Sequence, residues 1–212
     1  GLVDLTAAGL PEGELGTWEN QGMVEGDFVA PAEGVPSVTT VDGIKGVTFN
    51  GSTDYYTGPA APTAVTGFRA RTIEAWIFNP ELANEETIFS WGSRGEPAGR
   101  NMSFNHGTNP TFGAVGHWGA PDLGWDGNIA GGRWTYVAYT YDGISSGVTY
   151  FDGTEATRDN ALYLDTRDVD SAGGNPLPFR VAAQNELNGA ANTGLLGSLT
   201  IAKLRVHNQE LD

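Results

Sequence analysis

The chain has no cysteine, so neither a disulfide framework nor a thiolate zinc site is available to it. Lysine is nearly absent: only Lys45 and Lys203 occur, and the other basic residues are arginines. Against 26 acidic residues stand 11 basic ones, a formal charge of −15. A surface of that sign lacks the basic footprint that a nucleic-acid backbone requires and has no attraction for anionic membranes. No apolar run reaches the ~18 residues of a membrane span, and no signal peptide is visible. Heptads, long amphipathic helical stretches and exact internal repeats are all missing.

What is present is glycine, aromatic residues and short alternating runs. The 212 residues include 31 glycines and 11 prolines, a composition suited to a turn-rich β protein. A chain of this length buries about 70 % of its unfolded surface, so one domain over 1–212 is expected, cut from a longer secreted polypeptide. Leu2–Leu5 is a short apolar run, followed by a loose segment through Pro36 anchored by Trp18 and Phe28. Asp42-Gly43 between SVTTV and KGVTF is a hairpin signal. Asn50-Gly51, Asp142-Gly143 and Asp152-Gly153 mark further turns.

In Thr72–Phe78, residues 73, 75 and 77 fall on one face and 74, 76 and 78 on the other. Both faces are mostly apolar, which predicts a central strand with Trp76 in the core. Trp134, at the head of the run to Tyr141, is likewise predicted to be core. Further strands are expected over 86–91, 101–104, 111–115, 148–151, 161–164 and 179–183. A long alternating strand is expected over 198–207. Many short strands at regular spacing mean an all-β, two-sheet sandwich or a barrel.

The segments FNG (49–51), TIEAWI (72–77), ETIFSWG (86–92), RWTYVAYTYDG (133–143), VTYFDG (148–153) and LTIAKLRVHNQEL (199–211) follow one another in a fixed order. Together they resemble a bacterial laminin-G-like domain of the concanavalin-A-like lectin/glucanase jelly roll. That resemblance implies an antiparallel β-sandwich, secreted or surface-attached, acting as a monomeric carbohydrate-binding or adhesion module. It also implies a structural calcium ion near a sheet rim. The family's last strand often carries an acidic pair two residues before its arginine. With Arg205 at the arginine, Ala202 and Lys203 occupy those places.

The stretch 91–126 is the expected point of contact with a ligand. It holds Trp91, Trp118 and Trp125, two of the three histidines, and Arg94, Arg100, Asn101, Asn105 and Asp122. A sugar ring stacks its C–H groups on a flat aromatic face, and planar polar side chains read its hydroxyls. Trp118 and Trp125 lie in the Gly/Pro-rich loop HWGAPDLGWDG and are expected to stack. Asn105, His117, Asp122 and Arg100 are expected to hydrogen-bond, with Trp91 beside them. No His-x-His or His-x-x-x-His spacing supports zinc. Asp126 and the cluster Asp165, Asp168 and Asp170 are loose candidates for calcium, without EF-hand spacing.

Catalysis is the rival class. Glycoside hydrolases of this fold carry Glu-x-Asp-x-Glu on one strand, which aims alternate carboxylates into one cleft. The chain has no such pattern, and Glu85-Glu86 are adjacent, so a strand points them to opposite faces. Lyases of this fold use an Arg/Gln/His/Tyr constellation. Gln184, His117 and several tyrosines are present here without its strand signatures. The expectation is a noncatalytic module that binds a polysaccharide or glycan. A protein-binding adhesion or spacer domain, and a lyase or hydrolase with an unfamiliar site, stand as alternatives.

Overall fold

The computed structural model describes residues 1–119 and 121–211. Among them there is no helix, hence none long and apolar enough to cross a membrane. The first strands are β1 (Val3–Thr6), β2 (Gly13–Glu14), β3 (Thr17–Trp18), β4 (Phe28–Val29), β5 (Ser37–Val41) and β6 (Ile44–Thr48). Then come β7 (Tyr56–Ala60), β8 (Arg71–Phe78), β9 (Thr87–Gly92), β10 (Asn101–Asn105), β11 (Val115–Gly116) and β12 (Trp134–Tyr141). The chain closes with β13 (Gly147–Phe151), β14 (Thr154–Asp159), β15 (Pro178–Val181), β16 (Gln184–Asn185), β17 (Ala191–Asn192) and β18 (Thr200–His207).

Two antiparallel sheets face each other. The larger runs β14-β13-β12-β8-β18-β6-β5-β2, with β1 also on β18; the smaller runs β11-β10-β9-β15-β7-β4-β3. Their inner faces supply Ile73, Ala75, Ile77, Val137, Tyr139, Leu204 and Val206 from one side. Phe89, Trp91, Met102, Phe104, Phe179 and Val181 come from the other, and Trp18 and Phe28 join the same core. The Asp-Gly turns form as the sequence predicts. Asp42 and Gly43 have φ of 48° and 80°, and Asp152 and Gly153 have 51° and 78°. These are the paired left-handed conformations of a tight hairpin turn, which Asp and Gly tolerate best.

Several elements depart from the sequence reading. The 111–115 strand shrinks to Val115–Gly116, because Asn109 Oδ1 caps the backbone N–H groups of Thr111 and Phe112 and holds a turn there. Residues 161–164 form no strand; Leu162 and Leu164 are buried while Tyr163 is 79 % exposed. Strand β14, which the sequence does not announce, pairs with β13 beyond the Asp-Gly turn. The last strand does not alternate throughout, since its register with β8 shifts between Ile201 and Lys203. Ile201, Leu204 and Val206 are all fully buried, which strict alternation from Ile201 forbids. The irregularity at Ala202 switches the phase and turns Lys203, Arg205 and His207 outward.

Trp76 and Trp134 are not core residues. They lie on the outer face of the larger sheet, where Tyr136 pairs with Trp76 and Trp134 with Phe78. Trp76 is 36 % exposed, and Phe78, Trp134 and Tyr136 are half-buried. Pattern alone could not reveal this: two large aromatics, Trp76 and Phe78, beside Glu74 on the outward face of β8 read as a strand covered on both sides, yet among the described residues no second layer lies over this one.

Candidate functional site

The smaller sheet has a polar outer face. Ser90, Asn101, Ser103, Asn105 and Arg180 point away from the apolar core, yet each is buried. The segment after β15 holds three of them: the Ala183 carbonyl accepts from Ser90, the Gly189 carbonyl from Arg180, and Gln184 Oε1 from Asn101. Asn185 accepts from Arg180 Nε at 2.5 Å and donates to the Gly92 carbonyl at 2.9 Å. Gln184 is fully buried and uses its whole amide. Its Nε2 donates to Glu85 (2.8 Å) and Thr87 (3.0 Å), and its Oε1 accepts from Arg94 (3.1 Å) and Asn101 (3.2 Å). A network of this kind, closed on itself, fixes side-chain positions without help from solvent.

At the β11 edge this polar layer opens into a cleft of about 360 Å³, lined by Glu85, Arg94, Glu96, Asn101, Phe112, Trp118, Asp122 and Gln184 with the backbone of Gly116 and Gly119. That volume lies toward the lower end of the range of ligand sites, about 300–1,000 Å³. Asn101 Nδ2 is held by the Gly116 carbonyl at 3.1 Å as well as by Gln184. Its Oδ1 is buried and has no hydrogen-bond partner among the described residues. A buried acceptor left in that state costs about 1–3 kcal/mol.

Trp118 forms one wall. It is half-buried, and the Arg94 guanidinium lies 5.0 Å from its ring centroid. Its backbone is left-handed (φ 70°), as is that of Gly119 (φ 72°). A tryptophan resists that conformation, so the surrounding loop must impose it. His117 N–H donates to Asp122 Oδ1 at 2.6 Å, and the Trp118 carbonyl accepts from Gly99 N–H at 3.1 Å. His117 Nδ1 lies 2.6 Å from the Pro121 carbonyl and Nε2 3.1 Å from Tyr139 Oη. A carbonyl can only accept, so Nδ1 carries the proton and Nε2 accepts from the tyrosine. Burial lowers the His117 pKa to about 3, so the ring stays neutral and serves as a strut beneath the loop.

Asp122 carries the cleft's most perturbed acid. Burial raises its pKa to about 6, and the nearby Glu85 charge adds to the rise, against hydrogen bonds from the His117 and Trp118 backbone. Glu85 and its neighbour Glu86 part company as the sequence requires. Glu85 lines the cleft, while Glu86 is 3 % exposed and bonded to Ser198 at 2.6 Å and to Asn79.

The sequence-predicted site residues therefore scatter. Trp118 and Asp122 meet in the cleft, joined by Arg94, Asn101, Glu85 and Gln184. Trp125, expected to lie open, is 2 % exposed and packs against Phe104, His106 and Phe151, with its Nε1 on the Gly113 carbonyl at 3.1 Å. Trp91 is fully buried, with Nε1 on the Val65 carbonyl. His117 and Asn105 are fully buried and act as supports, Asn105 through Ser103 and the Phe112 carbonyl. Arg100 pairs with Asp165 at 3.0 Å and lines a different recess with Asp168. Asp170 uses Oδ1 to accept the backbone N–H groups of residues 172, 173 and 174 and Oδ2 to hold Asn175. Asp126 is an exposed turn residue with φ 50°. Among the described residues no three His, Asp or Glu side chains gather as a metal site would require.

Arg94 and Gln184 are the functional candidates that residue type undersold. Ninety positions separate them, so only the topology brings them together. Glu85 was visible as one of an adjacent pair, and which of the two faces the cleft depends on the fold.

No curated protein matches the chain. Among solved structures it is similar to Trypanosoma rangeli sialidase in complex with 2,3-difluoro-KDN, with TM-score 0.61 and 15 % identity over 99 % of this chain and 30 % of that one. It is also similar to the binding domain of botulinum neurotoxin serotype G (TM-score 0.59, 13 % identity, 100 % of this chain and 48 % of that one). The binding domain of Paraclostridial Mosquitocidal Protein 1 is a third (TM-score 0.61, 11 % identity, 100 % and 49 %). The chain thus spans about a third to a half of the structures it matches, and at these identities the likeness is one of fold, shared by enzymes and binding domains alike. The profile of a laminin-G family described as the concanavalin A-like lectin/glucanases superfamily matches residues 50–212, and the chain belongs to that family.

Proposed function

We propose that the protein is a noncatalytic glycan-binding module and that the cleft beside Trp118 is its binding site. The observation that carries this reading is the pairing of a half-buried indole with a rigid polar floor. Trp118 offers an aromatic wall for the C–H face of a sugar ring. Glu85, Asp122 and Arg94 offer planar donors and acceptors for its hydroxyls, above a floor fixed by Asn101 and Gln184. Three carboxylates against one guanidinium make the cleft acidic, which favours a neutral, hydroxyl-rich sugar over an anionic one. The fold's occurrence in toxin binding domains is in keeping with a binding role. Secretion or display at a bacterial surface, where polysaccharides are met, is part of the same proposal.

Calorimetric titration against a panel of neutral and acidic polysaccharides tests the proposal. Binding by the parent that Trp118→Ala abolishes supports it; a blank panel, or a variant that binds as well as the parent, sinks it.

One observation favours a second reading. A carboxyl raised to about 6 beside another carboxylate is the arrangement by which glycoside hydrolases separate acid from base, and 30 % of a sialidase chain has this fold. Release of reducing ends from any polysaccharide, abolished by Asp122→Asn, would establish a hydrolase and overturn the noncatalytic assignment.

A further inference from the structure

We infer a second sugar site, on the outer face of the larger sheet, that takes a carboxylate-bearing saccharide on Trp76 and Tyr136. The outward positions of an antiparallel sheet facing water are ordinarily polar. Here β8 and β12 place four aromatics there, with ring centroids of Trp76 and Tyr136 6.3 Å apart and those of Phe78 and Trp134 5.8 Å apart. Beside the first pair is a notch of about 120 Å³, lined by Glu74, Ala75, Trp76, Tyr136, Lys203 and Arg205.

The cations give the ligand its class. The irregularity at Ala202 turns Lys203 and Arg205 onto this face, with Lys203 directly across from Trp76 and Arg205 across from Glu74. In a chain of charge −15, one of only two lysines sits here. Neither cation makes a hydrogen bond among the described residues. Lys203 Nζ is 3.8 Å from Asp4, and Arg205 approaches Asp4 at 3.4 Å and Glu74 at 3.6 Å. Contacts that long and that exposed hold little energy. Glu74 does not need Arg205, since it already accepts from Tyr136 Oη at 2.7 Å and lies 3.0 Å from His207 Nε2. The fork of Arg205 and the ammonium of Lys203 can thus turn from these long pairs to a ligand carboxylate, while the ring that bears it lies on Trp76. The two sites differ in charge balance: the cleft sets three carboxylates against one guanidinium, whereas here two cations match Asp4 and Glu74, so a uronate meets far less repulsion on this face.

The test is a nuclear magnetic resonance titration of the whole chain with a galacturonic acid tetramer, and with the same tetramer after its carboxyls are reduced to alcohols. The Trp76 indole N–H and the backbone of Lys203 and Arg205 should shift with the acid. The reduced tetramer should bind more weakly by about tenfold or more, the scale of one charge-assisted contact. Trp76→Ala and Lys203→Gln should each weaken the acid by a similar factor, and Lys203→Gln, an exchange at a solvent-facing side chain, leaves the fold intact. Trp118→Ala should leave this affinity unchanged, which separates failure here from failure of the cleft. Equal binding of both tetramers, shifts confined to the cleft, no shift at millimolar tetramer, or burial of Trp76 through self-association in sedimentation would each overturn the inference.

Discussion

Two tryptophans seven positions apart should respond to truncation in opposite ways. Trp125 is 2 % exposed, sits among Phe104, His106 and Phe151, and has its Nε1 bonded. Its replacement by alanine opens a cavity and removes one of the two hydrogen bonds to the Gly113 carbonyl, a loss of about 3–5 kcal/mol. Trp118 is half-buried and touches Arg94. Truncating it forfeits about 1–1.5 kcal/mol of burial and about 0.5–1 kcal/mol of cation–π attraction. Its φ of 70° costs a side-chain-bearing residue about 1–2 kcal/mol, and glycine alone escapes that cost. Trp118→Gly should therefore lie within about 1.5 kcal/mol of the parent and above Trp118→Ala by about 1 kcal/mol, the reverse of the usual order. Thermal unfolding followed by circular dichroism reads this directly, since each kcal/mol moves Tm by about 2–4 °C in a chain of this size. A Trp118→Ala variant that loses as much as Trp125→Ala would refute the assignment of Trp118 to the cleft wall.

Asp122 should titrate near 6 in carboxyl-resolved NMR. Because its folded pKa is raised, its contribution to stability is complete below its unfolded value near 3.8 and disappears as pH rises through about 6; Asp122→Asn should flatten the stability profile across that window. His106 and His117 work the other way. Burial lowers them to about 4 and 3, so their contribution is complete above the unfolded value near 6.5 and falls as the solution is acidified toward pH 4 and then 3. Acid unfolding that starts at higher pH in a His117→Lys variant, or an imidazole found protonated at pH 6, decides this. Asp170→Ala should lower Tm by removing the carboxylate that accepts three backbone N–H groups of its turn. Calcium and chelator should leave that loop's Tm contribution unchanged, because the carboxylate is engaged by the backbone; a calcium-dependent rise of several degrees that Asp170→Ala removes would contradict this.

The sandwich was legible because its signals are local. Asp-Gly at 42–43 and 152–153 dictates left-handed turn residues, and the alternation of Ile73, Ala75 and Ile77 marks an inner face wherever the strand ends up. The site was legible only in part, since exposure is a property of the assembled sheets. Trp125 and Trp118 share one glycine-rich loop, yet Trp125 follows the bridge of Leu123 to Val115 into the core, while left-handed backbone swings Trp118 out. Trp76 was misplaced for a related reason. Apolar character on both faces of β8 implies two covering layers, and the structure supplies one. Gln184 could not be found from its neighbours in sequence, because its partners Glu85, Thr87, Arg94 and Asn101 reach it across the sheet.

The most direct test follows the indole N–H resonances of all six tryptophans while a neutral glycan that binds the protein is added. The Trp118 signal should move in a saturable way, with Trp91 and Trp125 stationary. A bound glycan that leaves the Trp118 indole unmoved would contradict the account.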